Sequence, residues 1–377
     1  MTVQVKYPEV IAGLVIMLLV ILFLVSTETF GAEPNPTGDP IGGGAGYTRI
    51  ISDSDPRVKY IVSTEDELLH ALNNTTSGEV VFVRGTANID MSNAVGTVIP
   101  AGVILAGDRG LNGSAGGRIF RTRSGQSGFA TFVAGDNVRI TGLRIEGPDM
   151  EQNQDLGDYA IMGAIQAFDA RDLEVDNCEI SGWSYAGVAF DRSAGSTAHG
   201  YVHHNYIHHC HAKGYGYGVV IGYGTALVEA NLFDYMRHAV ADGGCPGSGY
   251  EARYNNALNH FIDAVFDMHP NPQPPSPLSK TGDLYKIHHN TIEVTDQAAV
   301  SIGAIPETGL FVDHNRFASP YATVYQWESQ GFGKVFMTRN MVGGIFYPEG
   351  PVHYLTFNGE EIPGIMTGIL EYPIPKI

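Results

Sequence analysis

Removing a carbon-bound proton beside a carboxylate requires three services: a cation or shared proton to neutralise the carboxylate, a base, and a proton donor. One stretch of this chain holds all three residue types. Arg237-His238-Ala239-Val240-Ala241-Asp242 is followed at a constant offset of 25 residues by Ile262-Asp263-Ala264-Val265-Phe266-Asp267, with His269 just beyond. Laid side by side, the runs put His238 beside Asp263 and Asp242 beside Asp267. Two carboxylates that close do not both ionise without compensation, so Asp242 and Asp267 either share a proton or bind a divalent ion such as Ca²⁺. Arg237 and this pair are the candidate neutralising groups. His238 or His269 is the candidate base, and Lys213, Tyr215 or Tyr217 the candidate donors. β-Elimination and C5-epimerisation of a uronic acid use such a set. The competing reading is structural: strict alternation from Val240 and Val265 turns both aspartates inward, where a buried Asp satisfies loop N–H groups.

The juxtaposition needs a repeating architecture, and the chain has one. An aliphatic residue, two variable positions and an anchor recur at Cys178, Asn205, Asn231, Asn255, Asn290, Asn315 and Asn340, in steps of 27, 26, 24, 35, 25 and 25 residues. A unit this small cannot bury its own apolar face, so units must stack. Short Gly- and Asn-rich strand and turn runs without helical periodicity make the stack a β-solenoid. An inward Asn at each turn bonds backbone groups that the bend leaves unpaired and bonds the next Asn, so the anchors are structural. The 35-residue step holds His269–Asp283, a Pro-stiffened excursion that would wall a groove.

Histidines and aromatics crowd the same coils. Tyr201–His211 carries five His, and His288, His289 and His314 recur beside later anchors. Without a matched carboxylate set these read as a ladder stacked along a solvated face, not as a metal site. His209 and His260 flank Tyr235 in one column. With Tyr215 and Tyr217 they are the candidate substrate-binding residues, and Tyr223 and Trp183 are further rings suited to sugar stacking.

Composition narrows the partners. With 22 Lys and Arg against 40 Asp and Glu, the net charge of −18 excludes non-specific nucleic-acid binding. Three Cys without zinc spacing form one bridge at most, and Cys178 in the anchor column reads as a small buried thiol. Val10–Val25 is an unbroken apolar run after Lys6, so residues 1–30 form a membrane anchor or signal segment. The charge flanking it places the domain outside, at the cell surface or, if the segment is cleaved, secreted. Sequons at Asn73, Asn74 and Asn112 fit that side. Residues 31–46 read as a Gly/Pro-rich tether, 47–342 as the solenoid and 343–377 as a C-terminal cap. Thr64-Glu65-Asp66-Glu67 opens a short helix near 65–73 that covers the other end. With both ends covered, a monomer is expected.

The capping helix, Val80–Gly85, Val103–Asp108, Asp136–Glu146 and the Asn-anchored coils together resemble pectate-lyase-like proteins over roughly residues 60–342. That resemblance implies an all-β, right-handed parallel β-helix and a polysaccharide partner. Phe266-Asp267-Met268-His269 is similar to the Phe-Asp-Pro-His motif of mannuronan C5-epimerases, which implies functional roles for Asp267 and His269. Ala264 and Pro270 stand where that motif has Tyr and Glu, and the Arg-x-Pro-x-x-Arg segment of pectate lyases is absent. The expected function is cleavage or epimerisation of a uronic-acid glycan; the alternative is a non-catalytic surface or envelope scaffold.

Overall fold

The computed structural model describes residues 35–123, 130–151, 155–156, 161–191, 198–271, 279–318 and 334–349, with strand segments at 324–326, 353–355 and 361–363. The expected membrane or signal segment lies outside the described residues. Among the described residues, no helix is long and apolar enough to cross a membrane.

Strands of successive coils lie parallel, one over the next. A 9-stranded sheet runs from Thr97–Ile99 through Ala130–Ala134, Gly163–Phe168, Ala186–Asp191, Tyr217–Ile221, His238–Asp242, Phe266–Met268 and Val300–Ile302 to Val324–Gln326. The remaining strands of each coil join a 21-stranded sheet, which is parallel except where Ile345–Glu349 folds back antiparallel on Val335–Val342. Inward residues of both sheets form one continuous apolar column from Val62 to Val342.

The anchor register is the one the repeat implies: Val175, Val202, Val228, Ala252, Ile287, Val312 and Met337 pair in succession. Three residues later the Asn amides form a buried ladder. Asn205 Nδ2 donates to Asn231 Oδ1 at 3.0 Å, Asn231 to Asn255 at 3.0 Å, Asn255 to Asn290 at 2.9 Å, Asn290 to Asn315 at 2.9 Å and Asn315 to Asn340 at 3.1 Å. Each Oδ1 also accepts the backbone N–H of the preceding anchor, and each Nδ2 donates to a carbonyl of that coil, as Asn255 does to Val228. Cys178 heads the column: its N–H is bonded to Asn205 Oδ1, and burial pushes its thiol up to about 12. All three cysteines are free and buried.

The residue before each anchor is left-handed, with φ of 51° to 56° at His204, Ala230, Tyr254, His289, His314 and Arg339. None of these is Gly, so the ladder bonds must hold a conformation that L-residues rarely adopt.

The helix spans Glu65–Asn74. Thr64 Oγ1 accepts from Glu67 N while Glu67 Oε2 accepts from Ser63 N, a reciprocal cap, and Leu68, Ala71 and Leu72 are buried against the first coils.

Residues 35–46, expected within a free tether, are docked instead. Gly42 N donates to Ala230 O at 2.9 Å, Gly44 N to Asn177 Oδ1 at 2.7 Å, and Tyr47 Oη to Asp176 Oδ2 at 2.7 Å. The strap crosses the turn column where left-handed corners leave carbonyls outward. A Cβ on Gly43 would stand 2.3 Å from His204 O, so the close approach requires glycine.

Asn255→Ala should remove about 2–4 kcal/mol of stability, because it strands the Asn231 N–H and Val228 C=O in the interior. Urea denaturation measures it; a loss under about 0.5 kcal/mol would mean the ladder does not carry the coil turns.

Candidate functional site

The two runs singled out do meet, one residue out of the expected register. Met236 bridges Phe261 at the offset of 25, but beyond the corner Val240 pairs Phe266, Ala241 pairs Asp267 and Asp242 pairs Met268. The coil from 257 to 268 carries one more residue at that corner than the coil before it. Since side chains alternate along a strand, the slip decides which face each aspartate takes.

Asp242 therefore points inward, in a column between Ile221 and Met268. Its Oδ1 accepts from Gly244 N at 2.5 Å and Ser248 Oγ at 2.7 Å, and burial raises its carboxyl to about 7. It is the structural aspartate of the competing reading. Asp267 lies on the outer face beside Ala241 and Ser301. The expected Asp242–Asp267 pair does not form, and with it goes the oxygen-rich Ca²⁺ site those two residues would have made.

What converges instead is a different trio. His238 is stacked 5.7 Å from Tyr217, and its Nδ1 donates to Ala264 O at 2.5 Å, which leaves Nε2 facing outward toward Asp267 Oδ2 at 3.6 Å and Asp263 Oδ2 at 3.8 Å. His269 Nε2 stands 2.7 Å from Asp267 Oδ2, yet neither Nε2 has an aligned hydrogen-bond partner, and both atoms are sealed from solvent. The side chain of His238 is 1% exposed, that of Asp267 8% and that of His269 26%, so the cluster opens on the His269 side. Burial lowers the His238 pKa. Burial also opposes charge on Asp267 and His269, but His238 and then His269 hold the Asp267 carboxyl down, and Asp267 holds the His269 imidazole up.

Arg237 spans the lip. Its Nε contacts Asp263 Oδ2 at 3.2 Å and its Nη1 donates to Gly214 O at 2.8 Å, while Nη2 makes no hydrogen bond to the described residues. Tyr217 is buried, its hydroxyl pushed up to about 12 chiefly by burial, and packs edge-on against Tyr185. Tyr215 is 41% exposed at the rim. Lys213 is exposed beside it and paired with Asp155 at 3.0 Å. Trp183 is no sugar platform, because it is wholly buried with Nε1 bonded to Ile145 O.

Sequence reasoning missed Ala264 O, Tyr185 and Ser301. The first is a backbone atom, and the other two reach the cluster through coils whose register no motif marks.

The histidine-rich runs are ladders. His209, Tyr235 and His260 stack at 4.4 and 4.0 Å, with His260 Nδ1 on Asp234 at 2.9 Å; Tyr254, His289 and His314 stack at 5.0 and 4.7 Å. The first stack borders Arg237 at the coil corner.

Among the described residues, three groups bring potential metal-ligand atoms within 4.8 Å of one another: Glu174, Asp176 and His203; His289, Asp313 and His314; and His238, Asp267 and His269. The first is neutralised by Arg49 and Arg139 at 2.7 Å each. The second lies on the half-exposed ladder face, where His314 Nδ1 contacts its own neighbour Asp313 at 2.6 Å. The third is as buried as the first, but among the described residues its Asp267 forms no ion pair with Arg or Lys.

Residues 74–260 match the sequence model of the right-handed β-helix region. The domain is a right-handed β-helix. The match stops nine residues before His269, so it covers Arg237 and His238 but not the coil that completes the cluster. No curated protein matches the chain. A β-helix is compatible with polysaccharide-active and with structural proteins, and the residues on its coils must decide between them.

Glu251 ties one ladder together: the His288 hydrogen bond, together with Arg253 and Lys286, holds its carboxyl down at about 2 against an ordinary 4.5. A depressed carboxylate stabilises the fold above its unfolded pKa and loses that contribution as pH falls through the folded one. The stability gap between wild type and Glu251→Gln should therefore be on the order of 1–3 kcal/mol near neutrality and shrink between about pH 4.5 and 2. Denaturant midpoints across that range test it; a constant gap would contradict the assignment.

Proposed function

We propose that the protein engages a uronic-acid-containing polysaccharide on the outer face of the nine-stranded sheet and cleaves it by β-elimination or inverts it at C5. The supporting observation is that coil stacking gathers Arg237, His238, Asp267 and His269 at one lip from segments some 30 residues apart. Tyr215 and Lys213 stand exposed at its rim.

The reaction's services divide by accessibility. The Nη2 edge of Arg237 is the group for the sugar carboxylate, matching a planar guanidinium to a planar anion. Tyr215 and Lys213 carry groups that can take or return a proton at C5 or at the leaving oxygen. His238, expected as the base, has a sealed Nε2 and acts from behind. The apolar Val10–Val25 run would hold this domain outside a membrane, where such polymers occur.

One observation favours a second reading, a rigid non-catalytic surface scaffold: both imidazole Nε2 atoms are closed to solvent. Incubation with polymers of mannuronate, guluronate, galacturonate and glucuronate separates the two. Elimination gives the ultraviolet absorbance of a C4–C5 unsaturated uronate, and epimerisation changes the anomeric NMR signals. Arg237→Ala should lower kcat/KM by about 10²-fold or more, and Tyr215→Phe should lower kcat. If no polymer is altered, the scaffold reading stands.

A further inference from the structure

We infer that His238, Asp267 and His269 form a binding site for a divalent transition ion of the zinc type, liganded by His238 Nε2, Asp267 Oδ2 and His269 Nε2. The inference does not depend on the polysaccharide reading.

The first ground is an accounting of polar atoms. A buried imidazole nitrogen without a partner costs free energy, and native interiors leave few of them. Here His238 Nε2 is such an atom, and His269 Nε2, though in an ion-pair contact of 2.7 Å with Asp267 Oδ2, lacks an aligned hydrogen bond; the two stand on either side of one carboxylate. A single ion among the three satisfies all of them at once.

The second ground is tautomer. Ligating histidines characteristically give their other ring N–H to a carbonyl or carboxylate, which turns the lone pair toward the metal. His238 does this through Nδ1 and Ala264 O at 2.5 Å. Tyr217 stacks on the opposite coil side and fixes the ring plane.

Distance is the third. Ligands about 2.0–2.1 Å from an ion in tetrahedral array are about 3.3 Å apart. The contacts to Asp267 Oδ2 are 2.7 and 3.6 Å, and all three groups fall within 4.8 Å, so ring rotations of under about 1.5 Å close the site.

Charge and donor type select the ion. Arg237 stands nearby, but Asp263 pairs with it, so Asp267 remains to offset the ion. Two imidazoles and one carboxylate suit zinc, cobalt, iron or manganese; Ca²⁺ takes six to eight oxygens, which this corner does not supply. Three protein ligands leave a coordination position open on the His269 side, facing the lip. If the polysaccharide reading holds, a sugar carboxylate would take that position.

The test uses the full-length, tag-free chain, stripped with chelator and titrated with Co²⁺, then Zn²⁺. About one equivalent of Co²⁺ should give the intense visible bands of four- or five-coordinate cobalt, and Zn²⁺ should abolish them and raise the melting temperature. His269→Ala and Asp267→Asn should each weaken Co²⁺ by more than the roughly 10–100-fold that loss of an outer partner costs. His314→Ala, on the other cluster, should change nothing. The inference is overturned if no such bands appear, if His314→Ala removes them while His269→Ala does not, or if Ca²⁺ displaces Co²⁺ at equal concentration. His269 lies at the exposed edge, so His269→Ala decides the outcome even if the Asp267 variant fails to fold.

Discussion

Each Asn in the ladder closes a bend that would otherwise bury unpaired backbone groups, and it does so only if the next coil places its own Asn directly beneath. The carboxamide has both a donor and an acceptor, so one side chain bonds its neighbours above and below and a carbonyl as well. A slip of the anchor column would leave several buried groups unpaired per coil, at a cost of about 1–3 kcal/mol each. The register of the whole column follows from that cost. Left-handed residues before each anchor, the outward ring stacks and the docking of the 35–46 strap are consequences of it.

The anchors were legible because a ladder residue is constrained by type and by spacing at once. Even the 35-residue step left Asn255 and Asn290 in register, since an excursion from the solenoid must return to the same rung. The corner beyond Met236 was not legible. Its extra residue lies between two rungs, where the chain turns without a marker, and counting from anchors cannot see it. That single residue moved Asp267 from the expected contact with Asp242 to a place beside His238, and replaced a dicarboxylate with a His–Asp–His cluster. The same overlay put Asp263 next to His238, and its carboxylate does lie 3.8 Å from His238 Nε2, although it also reaches Arg237 Nε at 3.2 Å.

The strap was misread for a related reason. Gly and Pro in 35–46 suit a flexible chain, but Gly43 is there for close approach to His204 O, a role composition cannot distinguish from flexibility. Trp183 and Asp242 likewise have types that suggest exposure and chemistry, yet both are buried and bonded within the column.

Function on this fold comes down to which side chains a rung carries outward at one height. Here the outward set is Tyr217, His238 and Asp267, with His269 at the edge and Arg237 at the corner. All of it depends on the corner register. An experimental electron-density map of the coils from 232 to 269 tests this most directly. The account predicts Asp267 opposite Ala241, its carboxylate near the observed 3.6 Å from His238 Nε2, with Asp242 inside against Ser248. Asp267 opposite Asp242, with its carboxylate in the core, would contradict it.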